Sequence, residues 1–134
     1  MVCLHCGGST RVTNSRSLKR PNQVWRRRQC DLCGSIFTTH EVAQYSAEWL
    51  VQDSDRQLKP FSRDQLLLSI HKSCEHRPSA LHDASSLTDT VINKLTPLVN
   101  DGQLLASTIT HTVQVALNRF DPAASVHYHA FHHK

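Results

Sequence analysis

Two regimes of hydrophobic patterning divide the 134-residue chain. Up to about residue 43 apolar side chains are sparse and alternate loosely with polar ones, the period-two signature of strands. Residues 11–16 and 24–29 predict two strands joined by the polar loop 17–22, with Pro21 inside it, and residues 35–39 predict a third. Val12, Ile36 and Phe37 are the few candidates for a core there.

Beyond a junction at residues 43–46 the period lengthens. Trp49, Leu50 and Val51, then a polar turn at residues 53–56, then residues 58–61 predict a short β-hairpin. Ser62-Arg63-Asp64-Gln65 is a capping box, in which hydroxyl and amide satisfy reciprocal backbone donors at a helix start. The helix behind it aligns Leu66, Leu67, Ile70 and Cys74, and it stops before Pro78, which disfavours helical geometry in the residue preceding it. A second helix is expected from Ser85 or Ser86, with Leu87, Val91, Ile92 and Leu95 at helical spacing, and Pro97 and Asp101-Gly102 end it. A third, from Ser107, carries Ile109, Val113, Ala116, Leu117 and Phe120 in one stripe. Asp121-Pro122 then reads as N-cap and first-turn proline of a short C-terminal helix. The expectation is an α+β chain: a small N-terminal β module over 1–43, and a mainly helical domain with a short β-hairpin over 46–134.

Cysteine spacing changes the reading of the first module. Cys3-Leu4-His5-Cys6 and Cys30-Asp31-Leu32-Cys33 are two C-x-x-C pairs, each followed by glycine. That is the arrangement of a zinc ribbon, in which four thiolates close a tetrahedron around one structural ion. Two disulfides, or His5 in place of one cysteine, are the competing arrangements. A module this small buries too little to fold alone, and a structural zinc contributes about 10–16 kcal/mol of apparent binding free energy. Cys74 stands apart, on the apolar face of a helix, and reads as a small core residue.

Charge sharpens the picture further. Residues 1–46 hold seven Arg/Lys against Asp31 and Glu41, while the remainder holds eight against nine. Four thiolates on a zinc ion carry a net −2, so the module stays positive by about three charges even when loaded. A basic module of this kind points to nucleic acid as its partner. Arg11, Arg16, Arg26, Arg27 and Arg28 are the candidate DNA contacts, mostly to phosphate, with one or two reading base edges. On a strand Arg26 and Arg28 share a face and Arg27 points the other way. Trp25 either stacks on a base or sugar or packs against Phe37, with packing favoured. No apolar run approaches the roughly 18 residues of a membrane span, and Met1-Val2-Cys3 begins too abruptly for a signal peptide. A reducing, cytoplasmic setting is therefore expected. No nucleophile–base pair or open metal site suggests an enzyme.

Taken together, the two knuckles, Val12-Thr13-Asn14-Ser15-Arg16, Arg26-Arg27-Arg28-Gln29-Cys30, Phe37-Thr38-Thr39-His40-Glu41, Pro60-Phe61 and Glu75-His76-Arg77-Pro78 resemble one family, over residues 3 to about 131. It is that of the NrdR-type repressors of ribonucleotide reductase genes, built from a zinc ribbon and an ATP-cone. The resemblance implies a bacterial, nucleoid-associated homo-oligomer that binds paired promoter boxes in double-stranded DNA through the ribbon. It also implies an ATP-cone over 46–134 that takes ATP or dATP as effector, with Val51, Lys59, Lys72, His76 and Arg77 as its nucleotide contacts. Two positions where the family carries phosphate-facing lysines are Gln52 and Gln65 here, and Trp25 and Ile36 stand where it usually has arginine. A glutamine donates a hydrogen bond but cannot neutralise phosphate. The alternative is a ribbon protein whose cone has lost nucleotide control and serves only for oligomerisation. The tail, residues 126–134, holds four histidines where relatives have arginine and small or apolar residues. A second metal site, a pH-sensitive contact and a partly exposed helix end all fit it. The chain also stops where many relatives continue.

Overall fold

A computed structural model describes residues 1–19 and 22–132. The chain divides into two compact units, Met1–Ala43 and Gln44–Lys134. Arg20 and Pro21 of the expected polar loop, and His133 of the histidine tail, lie outside the described residues.

The first unit is a three-stranded antiparallel sheet in the order β1-β2-β3, with β1 at Thr10–Leu18, β2 at Gln23–Cys30 and β3 at Ile36–Val42. Strand β1 extends through Ser17 and Leu18, which the sequence assigned to the loop, because both pair with β2. The expected small core is not there. Val12 is 40% exposed and Ile36 52%, and the only buried residues described in this unit are Cys3 and Cys30. Three thin strands alone cannot bury an aliphatic side chain, so the sulfurs themselves sit where a core would be.

The second unit begins with a single helical turn, α1 at Tyr45–Glu48, and the expected hairpin, β4 at Leu50–Gln52 paired antiparallel with β5 at Leu58–Pro60. Helix α2, Arg63–Cys74, starts where the capping box placed it: the Ser62 hydroxyl accepts the Gln65 N–H at 3.2 Å. Helix α3, Ala80–Leu95, begins earlier than Ser85. The polar residues of its first turns hide the start, but buried Ala80 and Ala84 already continue the stripe of Leu87, Val91, Ile92 and Leu95. A 3-10 turn, Thr96–Leu98, ends it at Pro97. Strand β6, Gln103–Leu105, then pairs parallel to β4 and makes the sheet order β5-β4-β6. Gly102 leads into it at φ +72, and its carbonyl accepts the Leu50 N–H at 2.8 Å. Helices α4, Ala106–Phe120, and α5, Pro122–His132, complete the unit. Asp121 caps α5 as expected, its carboxylate accepting the Ala123 N–H at 2.9 Å.

Ile70, Leu95, Leu117, Val91 and Val113 are fully buried between the helices, and each such side chain contributes about 1.5–3 kcal/mol. Cys74 is buried among them. Tyr45, Trp49 and Phe61 form an aromatic cluster with centroids 4.6–6.4 Å apart, which closes the core below the hairpin. Phe120 departs from its expected stripe. It is 40% exposed, and the Arg77 guanidinium lies 4.7 Å over its ring.

Candidate functional site

Each C-x-x-C segment folds as a tight knuckle closed by a glycine at positive φ, +73 at Gly7 and +72 at Gly34, where an L side chain is strained. The turn points backbone donors at sulfur: His5 N–H reaches the Cys3 Sγ, and the Leu32 and Cys33 N–H groups reach the Cys30 Sγ, all at 3.4 Å. The knuckles lock together through the Asp31 N–H on the Ser9 carbonyl, 3.0 Å. Gly8 lies under Leu32, whose Cδ1 would sit 2.6 Å from any Cβ added there.

The four sulfurs of Cys3, Cys6, Cys30 and Cys33 lie within 4.8 Å of one another. The Cys3 and Cys33 sulfurs are 3.7 Å apart and those of Cys6 and Cys30 3.5 Å, and all four cysteines are free. Zinc–sulfur bonds of about 2.3 Å in a tetrahedron separate the sulfurs by about 3.8 Å, so this arrangement suits one structural zinc and not two disulfides. The Ser35 hydroxyl, then the His5 N–H, draw the Cys3 thiol down to about 6, and Ser35 also lowers Cys33. The Gly8 N–H pulls Cys6 in the same direction, yet the Cys30 and Cys33 sulfurs facing it push it up to about 12. Four sulfurs this close repel one another when ionised, and a divalent ion would supply the positive charge that offsets them. Cys3 and Cys30 are buried while Cys6 and Cys33 are exposed, and no other group of three or more potential ligands occurs among the described residues.

The five arginines named from the sequence divide over two faces of the ribbon. Strand β2 alternates as expected, with Arg26 and Arg28 on one face and Arg27 on the other. A β-bulge between Val12 and Asn14 inserts one extra residue, Thr13, into β1. The bulge shifts the alternation, so Arg11 and Arg16, five residues apart, both fall on the Arg27 face. In the cross-strand rows of that face Arg11 stands beside Gln29, Asn14 beside Arg27 and Thr38, and Arg16 beside Trp25 and His40. Trp25 therefore lies opposite Phe37, and the expected packing between them does not occur. Its ring meets the Arg16 guanidinium at 5.8 Å instead. On the other face Arg26 binds Glu41 at 2.8 Å and Arg28 donates to the Thr39 hydroxyl at 3.2 Å.

In the second unit, a cavity of about 260 Å³ opens between the hairpin and helices α2, α4 and α5. Val51, Phe61, Leu66 and Ile109 give it apolar walls, and Gln65, Thr110, Tyr128 and His132 add polar groups. Lys59 borders it too, but its ammonium is paired with Asp53 at 3.2 Å. Of the residues named as nucleotide contacts, only Val51 and Lys59 line this cavity. Lys72 sits 4.1 Å over the Phe131 ring. His76 and Arg77, past the end of α2, both bind the Asp121 carboxylate, at 2.9 and 3.1 Å, and Arg77 also holds Asp83 at 2.8 Å. The two glutamines part company as well: Gln65 faces the cavity, whereas Gln52 lines a second hollow on the opposite side of β4. The sequence reading missed Tyr128, Thr110 and Ser69. The α5 pattern offered only a histidine-rich end, and nothing local announces that α5 folds back over α2, where Ser69 meets the His132 ring at 2.9 Å.

Residues 1–41 match the family model for the N-terminal domain of NrdR-like transcriptional repressors. Along nearly the whole chain there are relatives bearing the name transcriptional repressor NrdR. That of Symbiobacterium thermophilum is 34% identical over 128 residues, spanning 96% of this chain and 84% of its own. That of Geobacter sulfurreducens is 33% identical over 129 residues, 96% and 85% of the two chains. The Citrifermentans bemidjiense protein is 33% identical over 128 residues, 90% and 85%. The knuckles, the ribbon strands and this likeness through the helical unit agree, and the chain belongs to the NrdR family of transcriptional repressors.

Proposed function

We propose that this protein represses ribonucleotide reductase genes by binding promoter boxes in double-stranded DNA through its ribbon, and that ATP or dATP in the second unit controls the binding through its homo-oligomeric state. The observation that carries the reading is the ribbon itself. A zinc-closed sheet without an aliphatic core displays arginines on both faces against two carboxylates, which is a surface for a polyanion and not for a protein core. Nucleotide control draws support from the cavity, whose apolar walls suit a flat base. First-turn residues of two helices, Gln65 of α2 and Ala106 of α4, border it. Backbone N–H groups at such termini favour phosphate where Gln65 brings no charge. The protein acts by binding and not by catalysis, in the cytoplasm, where free C-x-x-C thiols stay available to zinc.

The Lys59–Asp53 pair favours a second reading, because it leaves the hairpin without net positive charge. In that reading the second unit serves oligomerisation alone. A gel-shift on reductase-promoter and random duplex at one salt concentration, titrated with ATP and dATP, separates the two. The proposal expects promoter preference that shifts with nucleotide. Equal affinity for both duplexes refutes the specific repressor, and promoter binding indifferent to both nucleotides, with none released on denaturation, leaves the second reading standing.

A further inference from the structure

We propose that DNA docks on one face of the ribbon sheet, the face that carries Arg16, Trp25 and Arg27 with Arg11 at its edge, and that the bulge at Thr13 is what assembles it. The inference rests on the DNA-binding reading above and names the surface that performs it.

Three independent observations select this face. The first is exposure. Along β3 it presents Ile36, Thr38 and His40, all exposed, while the opposite face presents the less accessible Phe37 and Thr39. On β2 Arg27 is exposed and its neighbours Arg26 and Arg28 are half-buried. The second is charge. The opposite face couples Arg26 to Glu41, whereas here the one carboxylate, Asp31, holds Arg11 at the knuckle end. Among the described residues Arg27 has no side-chain partner, and Arg16 meets only the Trp25 ring. An unneutralised pair of guanidinium groups releases counterions on meeting phosphate, and a pair already bound to carboxylate gains less.

The third is the register. With regular alternation, residues 11 and 16 point to opposite sides of a strand. The extra residue brings both to the side of Arg27, and the Thr13 hydroxyl donates to the Arg27 carbonyl at 3.2 Å, tying the bulge to the strand that bears that arginine. The result is a row, Arg16–Trp25–His40, beside a second row, Asn14–Arg27–Thr38. Cations, one flat ring and small hydrogen-bonding side chains are the composition that tracks a sugar–phosphate backbone. Trp25 places its half-buried ring at the centre of that surface.

The test uses the full-length, zinc-loaded protein and a fluorescent duplex, with affinity measured by anisotropy across a salt series. Arg16→Ala and Arg27→Ala are each expected to weaken binding about tenfold and to lower the salt slope by about one unit. Arg26→Ala and Arg28→Ala are expected to stay within about twofold of the parent slope and affinity. Arg27→Lys, which keeps the charge, is expected to restore the slope, and one zinc per chain in every variant excludes misfolding. Tryptophan emission is expected to change on DNA addition and to lose that change in Trp25→Phe, since Trp49 is buried in the other unit. Equal losses in all four alanine variants, or losses confined to Arg26→Ala and Arg28→Ala, overturn the face assignment while leaving DNA binding intact. A parent protein that binds no duplex at low salt overturns both.

Discussion

Removing the metal should unfold the ribbon and spare the rest of the chain. In the first unit the only buried residues described are two of the sulfur donors, and the aliphatic side chains Leu4, Leu32, Val12, Ile36 and Val42 are 40–76% exposed. Half-exposed aliphatics contribute about half of the ~1.5–3 kcal/mol of a fully buried one, so a handful of them supplies only a few kcal/mol. A zinc ion held by four thiolates contributes about 10–16 kcal/mol, which exceeds the whole net stability of most domains, about 5–15 kcal/mol. The apo ribbon is therefore on the unfolded side of its transition. The core cluster of the second unit is built from buried residues between Tyr45 and Tyr128. Chelation followed by two-dimensional amide NMR is the assay: ribbon resonances should collapse into the unfolded range while those from the second unit keep their dispersion. Retention of dispersed ribbon amides in a sample shown by metal analysis to contain no zinc would refute the reasoning.

Leu117→Ala, at a fully buried site, should cost about 2.7–5 kcal/mol. At about 4–8 °C per kcal/mol for a domain of this size, the Tm of the second unit in calorimetry should fall by more than about 10 °C, and a drop below about 5 °C contradicts the packing described. Ser62→Ala removes the cap of α2 and should cost about 0.5–2 kcal/mol in a denaturant titration, whereas Ser62→Asp should cost little. Asp121 is held down to about 2, first by His76 and then by Arg77 and the α5 amides. Its contribution to stability is thus complete above about pH 4 and lost as pH falls towards 2. Asp121→Asn should be less stable at neutral pH and should lose part of the acid-induced decline between those values; an unchanged acid limb would count against the carboxylate's role.

Local signals carried much of this architecture. The C-x-x-C spacing located the metal cluster, and the Ser62 and Asp121 caps located two helix starts, because each depends on neighbours within a few residues. What escaped was set by partners far along the chain. Strand β6 is three residues long and exists because it pairs with β4, some fifty residues earlier, so no period could reveal it. The Thr13 bulge is invisible in a strand pattern that alternates only loosely, and without it the five arginines cannot be sorted correctly onto faces. The cavity is lined in part by α4 and α5 residues without local signature, while His76 and Arg77 of the matched motif hold Asp121 and Asp83. Val12 and Ile36 misled for a different reason: in so thin a module, hydrophobic character has nowhere to be buried.

The spread of the cavity along the chain has a consequence for the order in which the protein comes into being. Its walls run from Val51 to His132, and β4 waits for β6 before its sheet is complete. The ribbon needs only residues up to about 43 and a zinc ion. Domains form from the N-terminus during synthesis, at about 5–20 residues per second. Each new chain therefore passes several seconds with a finished ribbon before the cavity of the second unit exists. That cavity is complete only when α5 has closed over α2.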